Sequence, residues 1–312
     1  MLEGLKIASS VLAGLSILSI AGPVFGEMAA TMAPYFSKRT PRALLEFGVQ
    51  YEEVAFPTND NLMLRGWFFP SRNKNAPAVL YAPATSRDQR SGISLVQPLH
   101  EAGYHVLLFS YRGHGDSDGN RFGFTYGADE SKDVDAAVKY LSDTRGIRKI
   151  GAIGHSAGAV SIIISAARNP KIDAVVAAAP FPSMEEIWQN NRPSLMPSPL
   201  YDFTMWVSEM RKGFSRHQVR PKDGIPDISP RPVLLIHGTN DKRIPVEQVL
   251  YLYNLANQPK ALWLVDGASH SGIRYPVLDK LMGDITAFFD DALLGVRGRI
   301  TLDEDIRNLV VD

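Results

Sequence analysis

From residue 51 onward, apolar and polar positions along this 312-residue chain alternate between two rhythms. Short runs rich in β-branched and aromatic residues are followed by longer stretches in which apolar side chains recur every three or four positions, as in strands alternating with amphipathic helices. Eight strands are predicted, at residues 52–56, 62–69, 78–82, 106–110, 149–154, 173–178, 232–237 and 261–265. Only Pro57-Thr58-Asn59-Asp60-Asn61 separates the first two, too little chain for a crossover, so they are expected to form an antiparallel hairpin. Helices are predicted at 91–102, 129–142, 157–168, 246–256 and 275–294; in the second, Val134, Ala137, Val138 and Leu141 mark a buried face. The pattern implies an α/β fold: an open, mostly parallel, eight-stranded sheet with helices on both faces.

Two stretches break the rhythm. Residues 181–229 carry Trp188, Tyr201, Phe203, Met205, Trp206, Met210 and Phe214 among several prolines, and are expected to form one or two helices as a small cap. Connections after the sixth strand lie at the carboxyl edge of a parallel sheet, where ligands bind. Residues 7–25 form 19 consecutive uncharged positions, long enough as a helix of about 1.5 Å per residue to cross a bilayer core of about 30 Å. An uncleaved anchor, a cleaved signal peptide and a helix packed on the protein or membrane surface all remain open, and the lack of a small-x-small cleavage site favours the anchor. Lys6 on one side and Lys38, Arg39 and Arg42 on the other set no orientation.

The organisation read from this is an N-terminal hydrophobic segment (1–28) that holds the protein at a membrane and takes no part in chemistry, and a connecting segment (29–50). One α/β domain follows (51–295, with the cap inserted), then a tail (296–312). Lysine plus arginine equals aspartate plus glutamate at 33 each, so no global basic field exists for nucleic acid. Cysteine is absent, which excludes a disulfide framework, a thiolate zinc site and a cysteine nucleophile together.

Gly154-His155-Ser156-Ala157-Gly158 lies between the strand ending at Ile153 and a helix of small residues, the strand–turn–helix that exposes a serine above a sheet. A G-x-S-x-G alone arises by chance in roughly one chain in ten of this length, so context decides. The sequence supplies it. Residues 233–237 run into Gly238-Thr239-Asn240-Asp241, and 261–265 run into Asp266-Gly267-Ala268-Ser269-His270, giving the order nucleophile, acid, base. Ser156, Asp241 and His270 are the candidate triad. The other six histidines (100, 105, 114, 155, 217 and 237) do not follow the last strand, and Asp266 is a fallback acid too close in sequence to His270.

With Tyr51-Glu52-Glu53-Val54, Leu64-Arg65-Gly66-Trp67-Phe68-Phe69-Pro70, the loop from Tyr111 to Gly119 and the segment from His237 to Pro245, the chain resembles the α/β-hydrolase superfamily over about residues 50–295, and within it serine hydrolases with an N-terminal hydrophobic anchor. The resemblance implies acyl transfer to water through an acyl-enzyme, with neither metal nor organic cofactor. It implies an oxyanion hole from the amides of Ala157 and Ala84, with Thr85 the alternative, because Pro83 has no N–H to offer where the family usually has His-Gly. Trp206 and Phe203 are expected on the cap face turned towards Ser156, as substrate contacts. Arg112, Asp116 and Asp118 are expected to shape the sheet edge through turns and ion pairs. The expected activity is cleavage of a small-molecule carboxylic ester; amide or peptide hydrolysis and a non-catalytic, membrane-anchored interaction module are the alternatives.

Overall fold

The computed structural model describes residues 48–273, 277–296 and 306–310, with positions 22, 24, 26–28, 31 and 32 of the N-terminal segment. In chain order the strands are β1 (Glu52–Pro57), β2 (Met63–Phe69), β3 (Ala78–Ala82), β4 (His105–Ser110), β5 (Ile150–His155), β6 (Ala174–Ala178), β7 (Val233–Gly238), β8 (Lys260–Val265) and β9 (Ile306–Leu309). They form one sheet ordered β1-β2-β4-β3-β5-β6-β7-β8-β9. The expected hairpin is present: β1 and β2 pair antiparallel with Glu52 opposite Phe68, β2 is antiparallel to β4, and every later pairing is parallel. Strands β3 to β7 are buried along their whole length, which is why they read as continuous apolar runs.

Helices cover both faces. α1 (Ile93–Glu101), α2 (Glu130–Lys139) and α3 (Ala157–Arg168) fall close to their predicted places, followed by the cap helices α4 (Met184–Asn190) and α5 (Ser198–Lys212), then α6 (Val246–Leu255) and α7 (Met282–Phe289). Val134, Ala137 and Val138 of α2, Ile162 and Ile163 of α3 and Leu252 of α6 join one core layer; Leu95 and Leu99 of α1 join Ile285, Phe288 and Phe289 of α7 in the other. The helix expected over 275–294 is broken: a short turn at Leu278–Lys280 precedes α7, and a π-helical turn at Asp290–Leu294 follows it.

One further boundary differs from the sequence reading. Ile306–Leu309, assigned to a tail, is a ninth strand parallel to β8, with Leu262 beside Ile306. Its four residues alternate exposed and half-buried, too short and polar a run to register as a strand beforehand. The apolar run at 7–25 lies outside the described residues except at positions 22 and 24; among the described residues no helix is long and apolar enough to cross a membrane.

Candidate active site

β5 ends in a turn that requires glycine on either side of Ser156. Ser156 has φ 56° and ψ −122°, a strained conformation for a residue with a side chain, and its N–H donates to the Ala178 carbonyl at 2.8 Å. A Cβ at Gly154 would lie 2.6 Å from the Gly158 backbone, and one at Gly158 would lie 2.2 Å from the Ala82 carbonyl oxygen. Both glycines are therefore steric requirements of the turn. Ala157 heads α3, so its N–H has no acceptor within the helix.

The loops after β7 and β8 are stitched to each other. A Cβ at Gly238 would stand 2.1 Å from the Ala268 carbonyl oxygen, so glycine lets the two loops touch. The N–H of Asn240 donates to that same carbonyl at 3.1 Å. Thr239 Oγ1 donates to Asp266 Oδ1 at 3.1 Å and accepts from the Gly267 N–H at 2.8 Å. Asp266 is thus spent on the loop and is not the acid. Gly238 and Thr239 went unread as positioning residues in the sequence, although a glycine directly after a buried strand was the available signal.

The three candidate groups meet. His270 Nε2 lies 3.1 Å from Ser156 Oγ, placed to accept its proton, while Nδ1–H donates to Asp241 Oδ2 at 2.7 Å. The other carboxylate oxygen, Oδ1, accepts from the N–H groups of Arg243 and Ile244, each at 2.9 Å. Burial works against charge on Asp241, but the His270 hydrogen bond and the Ile244 N–H outweigh it and hold the carboxyl below its ordinary value. The remaining histidines have structural partners: His237, fully buried and pushed down by that burial, donates from Nε2 to the Ile244 carbonyl at 2.9 Å, and His155 Nε2 meets the His270 carbonyl at 2.9 Å.

A cavity of about 430 Å³ opens at Ser156, a size suited to a small-molecule ligand. Thr85 lines it, whereas Ala84 and Ala157 are buried and are not in the lining. The cap supplies Trp188, Tyr201 and Met205. Trp206 and Phe203 do not face Ser156: they are 51% and 43% exposed and pack on each other at 5.7 Å. The reason is the phase of α5, whose inward stripe is Tyr201, Thr204, Met205 and Ser208. Gly26 and Glu27 of the N-terminal segment and Thr31 of the connecting segment also line the cavity. Arg112, as expected, is a structural cation, bonding Asp133 at 2.7 Å and Asp60 at 2.8 Å, and Asp118 accepts the Met63 N–H at 3.0 Å.

A mostly parallel sheet, a strained serine at a strand–helix turn and cap helices inserted after β6 make up an α/β-hydrolase fold, and the family match that follows places the chain among the serine hydrolases of that superfamily. Residues 91–295 match the prolyl oligopeptidase family, and the chain belongs to it. It is 30% identical over 227 residues to the uncharacterized protein YfhR of Escherichia coli K12, covering 70% of this chain and 73% of that one. It is also 27% identical over 206 residues to the lysophosphatidylserine lipase ABHD12 of Danio rerio, covering 63% of this chain and 51% of the lipase. The esterase Pf2001 of Pyrococcus furiosus has the same fold, with TM-score 0.67 and 24% identity over 84% of this chain and 99% of the esterase.

Proposed function

We propose that this protein is a carboxylesterase in which Ser156 attacks the acyl carbon, His270 takes the serine proton and returns it to the leaving alcohol, and Asp241 holds the imidazole in the required tautomer. The amides of Ala157 and of Thr85 or Ala84 stabilise the oxyanion, each donor contributing about 2.7–4 kcal/mol. Water then releases the acid by the same relay. No step calls on a metal or organic cofactor.

The observation that carries the ester reading over the aminopeptidase one is the charge of the cavity. Glu27 is the acid among its lining residues, and its carboxylate is already engaged by Lys212, Arg211 and Tyr126. Among the described residues a free substrate ammonium group finds no unspent carboxylate there, and Arg243 in the same lining repels it. The apolar wall of Trp188, Tyr201 and Met205 suits an uncharged acyl chain, as does the lipase activity named for the Danio rerio relative. Labelling by a fluorophosphonate, followed by turnover of p-nitrophenyl esters against aminoacyl anilides, tests this. A chain that is labelled but prefers the anilides is a peptidase, and a chain that is never labelled is the non-catalytic module. Membrane attachment through residues 7–25 is part of the same proposal, and recovery of the full-length protein in the supernatant after cell fractionation would refute it.

A further inference from the structure

The Glu27 carboxylate joins two parts of the chain that the domain description keeps apart. Its Oε2 accepts from Arg211 Nη2 at 3.1 Å and its Oε1 from the Tyr126 hydroxyl at 3.0 Å, while Lys212 Nζ also donates to Oε1. Lys212 donates to Thr31 Oγ1 at 3.1 Å as well, and Thr31 donates back to the Glu27 carbonyl at 2.9 Å. The lysine and glutamate side chains are 0% and 7% exposed. Tyr126 is itself fixed: at φ 61° it occupies a left-handed turn whose flanking N–H groups, of Thr125 and Gly127, donate to the buried Glu130 carboxylate at 2.9 and 2.7 Å. An ion pair on a wet surface holds little, but one buried on both sides cannot part without leaving an uncompensated charge.

This cluster sits in the rim of the substrate cavity. Gly26, Glu27 and Thr31 line it together with Tyr201 and Met205 of α5. Lys212 belongs to the last turn of that same helix. These bonds therefore tie Glu27 to α5 and to Tyr126, and all three contribute residues to the lining of the cavity. We propose that Gly26, Glu27 and Thr31 form a fixed wall of the cavity, supplied from outside the hydrolase domain, and that Glu27 is the positioning residue that sets acyl-chain selectivity by holding this wall against α5. The proposal rests on Ser156 being the nucleophile. A segment that merely tethered the domain would affect all substrates alike, whereas a wall acts on the chains long enough to touch it.

The test uses the full-length chain as wild type, Glu27→Ala, and Glu27→Ala with Lys212→Met. Glu27→Ala alone leaves Lys212 buried without its carboxylate and should lower the thermal midpoint; adding Lys212→Met removes the stranded charge and should recover it. Recovery of the fold should not recover the wall. In the double variant the ratio of KM for p-nitrophenyl octanoate to KM for the acetate should rise by about fivefold or more, the value of one or two methylenes losing their contact, with the change in KM rather than kcat. Fluorophosphonate labelling reports whether the serine is reactive. A labelled, folded double variant with the wild-type KM ratio overturns the wall. A wild type that resists labelling overturns the hydrolase reading and this proposal with it.

Discussion

Gly238→Ala probes how the acid and the base are brought together without touching either. The new Cβ would lie 2.1 Å from the Ala268 carbonyl oxygen, where ordinary contact begins at 3.4 Å, so that carbonyl has to retreat by more than an ångström. His270 follows Ala268 by two residues and Asp241 follows Gly238 by three, and the Asn240 N–H bond to the same carbonyl is lost with the movement. A misplacement of about 1 Å in a catalytic group costs about 100-fold in rate, equivalent to about 2.7 kcal/mol of activation free energy. Turnover of p-nitrophenyl acetate is therefore expected to fall by about 100-fold with KM changed less than about threefold. Gly267→Ala is the control. Gly267 has φ +67° but nothing within 4 Å of an added Cβ, so it should cost about 1–2 kcal/mol of stability through backbone strain and leave turnover intact. If Gly238→Ala keeps more than a tenth of wild-type kcat, or if both alanines damage turnover equally, contact between the loops is not what aligns Asp241 and His270.

Ser156→Ala is expected to lower kcat by about 10⁴- to 10⁶-fold with the fold preserved, and the double variant with His270→Ala should be hardly worse; additive losses in stopped assays would mean the two act independently. Met205→Ala, which strips an inward wall, should weaken octanoate relative to acetate esters by about fourfold per lost methylene contact, whereas Trp206→Ala on the outer face should leave that preference alone; the opposite pattern in kcat/KM would reverse the facing of α5. Asp241 has its native pKa depressed below the ordinary 3.8, so the stability it contributes is present above that value and lost as pH falls through the lower native one. The gap in unfolding midpoint between wild type and Asp241→Asn should be constant above about pH 5 and close in acid, and a gap that widens in acid would contradict the assigned hydrogen bonds.

The core of the fold was legible because buried parallel strands are hydrophobic throughout; β3 to β8 fell within a residue or so of expectation, while the placing of β4 between β2 and β3 left no mark in the sequence. The meeting of Ser156, Asp241 and His270 was legible because the turn at Ser156 demands glycines at 154 and 158 and because Asp241 and His270 each follow a strand. The inward face of α5 was not. Tyr201 and Met205 point in while Phe203, Trp206 and Met210 point out, so apolar side chains surround the helix and their periodicity gives no phase. Glu27 was unreadable for another reason: its partners, Tyr126, Arg211 and Lys212, are 99 or more positions away, and nothing local marks a lone glutamate after an apolar run as a cavity residue.

The small ninth strand bears on how the protein behaves in solution. A sheet that stopped at β8 would present the backbone of Leu262 to Val265 as an open row of donors and acceptors, and the apolar side chains of that strand would make the edge adhesive to a second copy. Ile306–Leu309 occupies that row with a short strand carrying Arg307 and Asn308, the kind of edge that discourages further strand addition. The Leu309 carbonyl also accepts the Asp266 N–H at 2.9 Å, at the root of the loop that carries His270. A fusion or truncation that pulls this strand away thus uncovers a self-associating edge and loosens the base loop in one step, so loss of solubility and loss of turnover should arrive together.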